Sequence, residues 1–171
     1  MRVEEIMSID LETCRADDNL NRPAQIMWEH DCGAVPLVDD EGHVVGMVTD
    51  RDICMAAYTQ GRPLSEISVS SACSRTVRTC KLDDSVESAE AIMAAERVRR
   101  IPVVDHDAKI CGILSLGDLA RRAHEPTHRP DGLSYENIAV TVAAVSEPAR
   151  AHSSNGDALR RIKGDRSAAP A

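Results

Sequence analysis

Apolar and polar positions alternate in two successive blocks of one design. In the first block, residues 35–38 are an unbroken apolar run, Asp39-Asp40-Glu41-Gly42 has turn chemistry, and residues 43–48 return to apolar character. Together these predict a β-hairpin. Residues 12–16 supply a short extended piece ahead of it. A helix starting at Asp18 or Asn19 and running to His30 follows, with Ile26 and Met27 inward and Pro23 near the first turn, where proline costs least. Gly33 breaks that helix. The next begins at about Asp50 and stops at Gly61, a residue suited to the left-handed position after a helix.

The second block has the same order. Asp84-Ser85-Val86-Glu87 resembles a capping box, residues 89–98 read as a helix, residues 101–104 and 109–114 as strands, and a last helix runs from Gly117 until Pro126. The offset is a constant 66 residues, as from Pro36 to Pro102. Without a gap, residues 11–52 and 77–118 share Thr13/Thr79, Cys14/Cys80, Asp17/Asp83, Asp18/Asp84, Ile26/Ile92, Met27/Met93, Pro36/Pro102, Val38/Val104, Asp39/Asp105, Gly46/Gly112 and Asp52/Asp118. Residue usage alone predicts roughly two or three such matches. Neither half would bury much alone, and the length suits one domain of ordinary size or two small halves that share a core.

Residues 1–62 are therefore expected to form the first repeat with its lead-in, 63–76 a Ser-rich linker with a helical turn at 64–67, and 77–124 the second repeat. The linker mirrors residues 3–7. Residues 125–171 shift to Pro, Ser, Ala, Gly and Asp and read as a mostly flexible tail. Within it, Tyr135, Ile138, Val142 and Val145 have helical spacing, predicting a helix over 135–145 that closes the module or serves a dimer.

Composition narrows the function classes. Hydrophobic residues make up 43% of the 171, with no Phe, one Trp and two Tyr, so the core is aliphatic and no stacking surface for single-stranded nucleic acid is available. A net charge of −8 disfavours nucleic acid and anionic membrane surfaces, and any anion site must be local. No apolar run approaches the roughly 18 residues of a membrane span, and the acidic N-terminus is unlike a signal peptide, which predicts a cytoplasmic protein. Six cysteines without a C-x-x-C pair read as free thiols. Cys73 and Cys80, flanking the linker, are the candidates for redox or metal chemistry.

The polar motif shared by the two blocks is a hydroxyl and an aspartate three residues apart: Thr49 and Asp52 in one, Ser115 and Asp118 in the other. Such a carboxylate can accept both hydroxyls of a ribose, while the hydroxyl and free helix N–H groups donate to phosphate. The same pair also serves as a plain N-cap with a dipole-stabilising acid. The runs Gly46-Met47-Val48-Thr49-Asp50-Arg51-Asp52 and Gly112-Ile113-Leu114-Ser115-Leu116-Gly117-Asp118, each following a Pro strand and hairpin, resemble the CBS domain. Residues 7–123 resemble a tandem CBS pair, or Bateman module, most like small stand-alone bacterial proteins including the hypoxic response type, with no appended enzyme or channel domain.

That resemblance implies an α+β fold of two β-α-β-β-α repeats about a pseudo-two-fold axis, with two clefts that bind adenosyl ligands. It implies that Asp52 and Thr49 work with Val98, Arg99 and Pro102, and that Asp118 and Ser115 work with Cys32, Gly33 and Pro36. Arg51, Arg99 and Arg100 equip the Asp52 cleft for phosphate, whereas Gly33 and Ala34 stand in the positions of Arg99 and Arg100 for the other. Arg99 and Arg100 equally suit the solvated end of a helix. AMP, ADP or ATP is the candidate ligand, with S-adenosylmethionine or NADH as further candidates and no tightly bound cofactor.

His124 and His128 are separated by Pro126, which spoils a shared face for zinc. Asp39-Asp40-Glu41 and Asp105-His106-Asp107 read as turns rather than metal or acid–base groups. There is no Gly-rich phosphate loop and no nucleophile elbow. The expectation is a non-enzymatic regulatory module, a homodimer with an unidentified protein partner. The alternatives are a ligand-free dimerisation scaffold and a cysteine-based stress sensor.

Overall fold

The computed structural model describes residues 1–124 and 134–147. The protein is an α+β fold of two repeats. The first contains α1 (Asn21–Glu29), β1 (Ala34–Val38), β2 (Val44–Thr49) and α2 (Asp50–Gln60). The second contains β3 (Cys80–Lys81), α3 (Val86–Glu96), β4 (Arg100–Val104), β5 (Ile110–Ser115) and α4 (Leu116–His124), and α5 (Tyr135–Ser146) follows. The hairpin strands lie exactly 66 residues apart, and each hairpin has its register shift at the same place, Leu37/Val38 and Val103/Val104.

The extended piece expected over 12–16 contracts to one parallel bridge, Cys14 to Leu37, where repeat two has the short parallel strand β3. Helix α1 starts later than expected. Asp18 accepts from Arg15 N at 2.8 Å and closes the preceding turn, while Asn19 accepts from Asn21 N at 3.1 Å, at the first residue of the helix. The box expected at residues 84–87 is half formed: Ser85 accepts from Ser88 N at 3.1 Å, and Glu87 stands one position too early to return the bond. Gly61 takes the left-handed position after α2, at φ 61°.

Each sheet is completed by the segment that precedes the other repeat. Ser8 pairs with Ile113 on β5 and Ser74 with Met47 on β2; Arg2 bridges Ser85 and Ser68 bridges Asn19. These pairs are related by the same offset, which gives the module its pseudo-two-fold symmetry. Residues 1–8 thus pack with repeat two, and Val3 is fully buried in that repeat's core, while Ile67 and Val69 enter the core of repeat one. Glycines make the crossings feasible. A Cβ at Gly112 would stand 2.7 Å from Met7 Sδ and 3.1 Å from Ser8 O, and one at Gly46 3.2 Å from Ser74 O. The hairpin ends meet through a His43–Lys109 bridge, with Ile110 N donating to Gly42 O at 3.0 Å.

Helix α5 breaks the symmetry by packing on α3 and α4. Its inward face is Ile138, Thr141 and Val145; Tyr135 and Val142, expected on that face, are 66% and 41% exposed. The apolar spacing of this helix misplaces the face because Thr141 is the residue turned onto α3, beside buried Glu90.

Candidate inter-repeat clefts

Both motifs form the same closed hydrogen-bond unit. Thr49 N and Thr49 Oγ1 donate to Asp52 Oδ2 at 2.9 and 2.7 Å, and Asp52 N donates back to Thr49 Oγ1 at 3.2 Å. Ser115 and Asp118 repeat this at 2.7, 2.6 and 3.2 Å. A strand ends on the hydroxyl, the hydroxyl caps the following helix, and the carboxylate at N3 completes the box. The backbone is tied to the opposite strand in each case: Asp50 N donates to Gly33 O and Leu116 N to Arg99 O.

Beyond that unit the surroundings diverge. Asp52 Oδ1 has no hydrogen-bond partner among the described residues, whereas Asp118 Oδ1 accepts from Ser8 Oγ at 3.1 Å and from Arg121. Asp118 is buried and its network is complete. The repeat-one counterpart of Arg121 is Met55, which has no charge to offer.

Two clefts flank the hairpins. The one beside Asp118, about 370 Å³, is lined by Ser115, Asp118, Cys32, Gly33 and Pro36, so all five expected residues are brought together. Arg100, Arg121 and the acids Asp10, Glu12 and Asp31 also line it. The other, about 620 Å³, is lined by Thr49, Arg51, Val98, Arg99 and Arg100 of the expected set. Asp52 and Pro102 lie outside its lining: Asp52 folds back onto Thr49, and Pro102 is buried within β4. Arg100 stands on the wall shared by both clefts, its Nη1 3.3 Å from where a Cβ on Gly33 would sit.

Arg97, Asp50 and the end of α5, Val145, Ser146 and Glu147, also line the Asp52 cleft and were not expected there. Arg97 is the left-handed residue after α3, at φ 55°, and its counterpart Asp31 has φ 47°. One backbone position therefore directs a cation at one cleft and an acid at the other. A signal for Arg121 was present in its i,i+3 spacing from Asp118 on one helix. For Glu147 the sequence offers none.

Cys14 and Cys80 occupy equivalent buried sites, their thiols directed at Pro36 O and Pro102 O, and burial pushes both up to about 12. A buried thiol held protonated is a poor nucleophile and metal ligand, which argues against redox or metal chemistry at Cys80. Cys73 is partly buried against the core of repeat one. His124 and His128 cannot be compared, since His128 lies outside the described residues. The turn at Asp39, Glu41 and His43 brings three potential metal-ligand atoms within 4.8 Å. Asp39 Oδ1 there accepts from His43 N and Glu41 N at 2.8 and 3.1 Å, bonds that account for the turn and, with the His43 ring 3.1 Å from Oδ2, hold the Asp39 carboxyl below its usual range. Among the described residues no helix is long and apolar enough to cross a membrane.

The CBS domain family profile matches the chain twice, over residues 3–58 and 68–125. The chain belongs to the CBS domain family. This CBS pair is 32% identical over 136 residues to the CBS domain-containing protein YhcV of Bacillus subtilis, covering 80% of this chain and 94% of that one. It is 29% identical over 124 residues to hypoxic response protein 1 of Mycobacterium tuberculosis, covering 72% and 85%. The crystal structure of Hypoxic Response Protein I with two coordinated zinc ions matches with a TM-score of 0.65 at 28% identity, over 74% of this chain and all of that one. The CBS domain pair of protein MJ0100 in complex with 5′-methylthioadenosine and S-adenosyl-L-methionine matches with a TM-score of 0.64 at 26% identity, over 71% and 94%. The pair is a regulatory module by family, and two of its similar structures hold, respectively, zinc and adenosyl ligands.

Proposed function

We propose that this CBS pair is a non-catalytic sensor of an adenosyl ligand, with an adenine nucleotide in the Asp52 cleft and a ligand of lower negative charge, or none, in the Asp118 cleft. The observation that carries this reading is the charge of two clefts built on one frame. Arg51, Arg97, Arg99 and Arg100 line the first against Asp50 and Glu147; Arg100 and Arg121 line the second against Asp10, Glu12, Asp31 and Asp118. Guanidinium groups recognise phosphate by paired, charge-assisted hydrogen bonds. Asp52 retains an oxygen without a partner among the described residues, which a ribose hydroxyl would meet once the carboxylate turns from Thr49 toward the cleft, while Asp118 has spent both of its own. Binding would bridge the repeats and shift their angle, and the output is limited by the ligand's preference for one arrangement.

Calorimetric titration with AMP, ADP, ATP, NADH, S-adenosylmethionine and adenosine tests the reading. Asp52→Ala is expected to weaken nucleotide binding about ten- to hundredfold, the worth of a charge-assisted hydrogen bond, and Asp118→Ala to leave it unchanged. Absence of binding by every ligand at millimolar concentration defeats it.

A second reading, a ligand-free scaffold that dimerises in the cytoplasm, is favoured by Trp28 and Tyr58, 88% and 81% exposed on α1 and α2. On repeat two, the corresponding helices are covered by α5. Sedimentation decides it, since the scaffold requires a dimer whose mass is indifferent to nucleotide and is lost in Trp28→Glu.

A further inference from the structure

Helix α5 ends inside the Asp52 cleft, where the Glu147 carboxylate lies 2.7 Å from Arg97 Nη2. Both side chains remain about half exposed, 47% for Arg97 and 64% for Glu147. An ion pair of that kind is weak. It also places an acid against one of the four arginines that line the cleft, so the chain presents its own carboxylate to a site suited to anions. Arg97 is held there by the backbone, since it is the left-handed residue that closes α3 and its N–H bonds Ala94 O.

The other end of the observation is the seat of α5 on repeat two. Its buried face has only Ile138, Thr141 and Val145. Beneath it lies Glu90, 5% exposed and beside Thr141, with an Oε1 that has no partner among the described residues. Thr141 Oγ1 donates within its own helix, to Asn137 O at 3.0 Å. A buried carboxyl group with an orphaned oxygen is costly, and burial together with Glu87 raises its pKa. In repeat one the same position is Ala24, and among the described residues no counterpart of α5 packs there. An orphaned carboxyl oxygen weakens the seat of the helix docked over it, and weakly seated elements are the ones that open first.

We propose that Glu147 is a built-in competitor for the anionic part of the ligand, so that filling the Asp52 cleft releases α5 from α3 and α4. This rests on the nucleotide reading of that cleft and adds its output. Phosphate oxygens and the Glu147 carboxylate compete for one guanidinium, and a nucleotide that also engages Arg51 or Arg99 brings more contacts than the single half-exposed pair it displaces. Release uncovers the apolar surface on which Ile138 and Val145 sit, converting an occupied cleft into a changed surface on repeat two.

The test is ATP titration of the full chain and of Glu147→Gln, with adenosine as the uncharged control, together with amide hydrogen exchange across α5. Glu147→Gln is expected to bind ATP about two- to fivefold more tightly and adenosine equally, and ATP is expected to speed exchange at Ile138 to Val145. A second variant, Glu90→Leu, strengthens the seat and is expected to slow α5 exchange and weaken ATP binding several-fold. ATP binding that is equal in all three proteins, with α5 protection unaltered by ATP, overturns the competitor while leaving the nucleotide reading standing. ATP binding by Glu147→Gln alone supports it, and binding by none of the proteins removes both.

Discussion

At Thr49 and Ser115 the two repeats match bond for bond, yet Arg97 stands where Asp31 stands, Arg99 where Gly33 stands, and Arg51 where Gly117 stands, so one frame opens into a cationic cleft and an acidic one. The capping unit is a local device, satisfied by the helix it starts, and so survives in both copies without any requirement from a ligand. The cleft walls are assembled from elements of both repeats and face water, where charge is cheap to change. Equal frames with unequal walls therefore separate what folding needs from what recognition needs.

The largest expected effect is at Arg99, on the exposed wall of the Asp52 cleft. Arg99→Gln is expected to weaken ATP binding about ten- to hundredfold, by removing a charge-assisted contact worth about 1.5–3 kcal/mol, while adenosine affinity stays the same. Equal losses for ATP and adenosine in calorimetry would show that the cleft does not discriminate by charge.

The next concerns the repeat-two seat that repeat one lacks. Burial raises the Glu90 carboxyl above its unfolded value of 4.5, so the folded chain holds that proton more tightly. Its contribution to stability is present below pH 4.5 and is lost as pH rises through the folded value. Glu90→Leu is expected to stabilise the protein at pH 7 by about 1–3 kcal/mol, with the gain narrowing as pH falls towards 4.5. Urea unfolding at a series of pH values measures it, and a gain independent of pH would mean that packing rather than charge is responsible.

The smallest effect is expected at Arg121, which neutralises Asp118 from a largely exposed position. Arg121→Ala frees Asp118 Oδ1 on one side and makes the two carboxylates more alike. A gain in adenosine affinity of about two- to fivefold is expected, the scale of an exposed ion pair. No gain by titration would mean that Ser8 alone keeps that oxygen occupied.

Much of the fold was legible because its signals are local or periodic. The apolar runs before and after Asp39-Asp40-Glu41-Gly42 state the hairpin, Gly61 states the end of α2, and the exact offset states that the arrangement occurs twice. The start of α1 was misread because Asp18 and Asn19 are good caps in isolation, whereas the turn at Arg15 claims the Asp18 side chain and Asn19 caps the N–H of Asn21 from two residues before the helix. The face of α5 was misread because apolar spacing favours Val142, whereas the seat offered by α3 contains Glu90 and receives Thr141.

The site shows the same division. Thr49, Asp52, Ser115 and Asp118 stand out in the sequence because their spacing is that of a helix start, a relation contained within four residues. The sequence also determined that the halves are copies and that their basic residues are unequally shared. Only the tertiary structure decided that Arg100 serves both clefts, that residues 1–8 complete the sheet of the opposite repeat, and that Glu147 returns to Arg97 from 50 residues away. Those contacts depend on how separately formed elements close upon one another, and chain separation carries no local pattern from which such closure can be read.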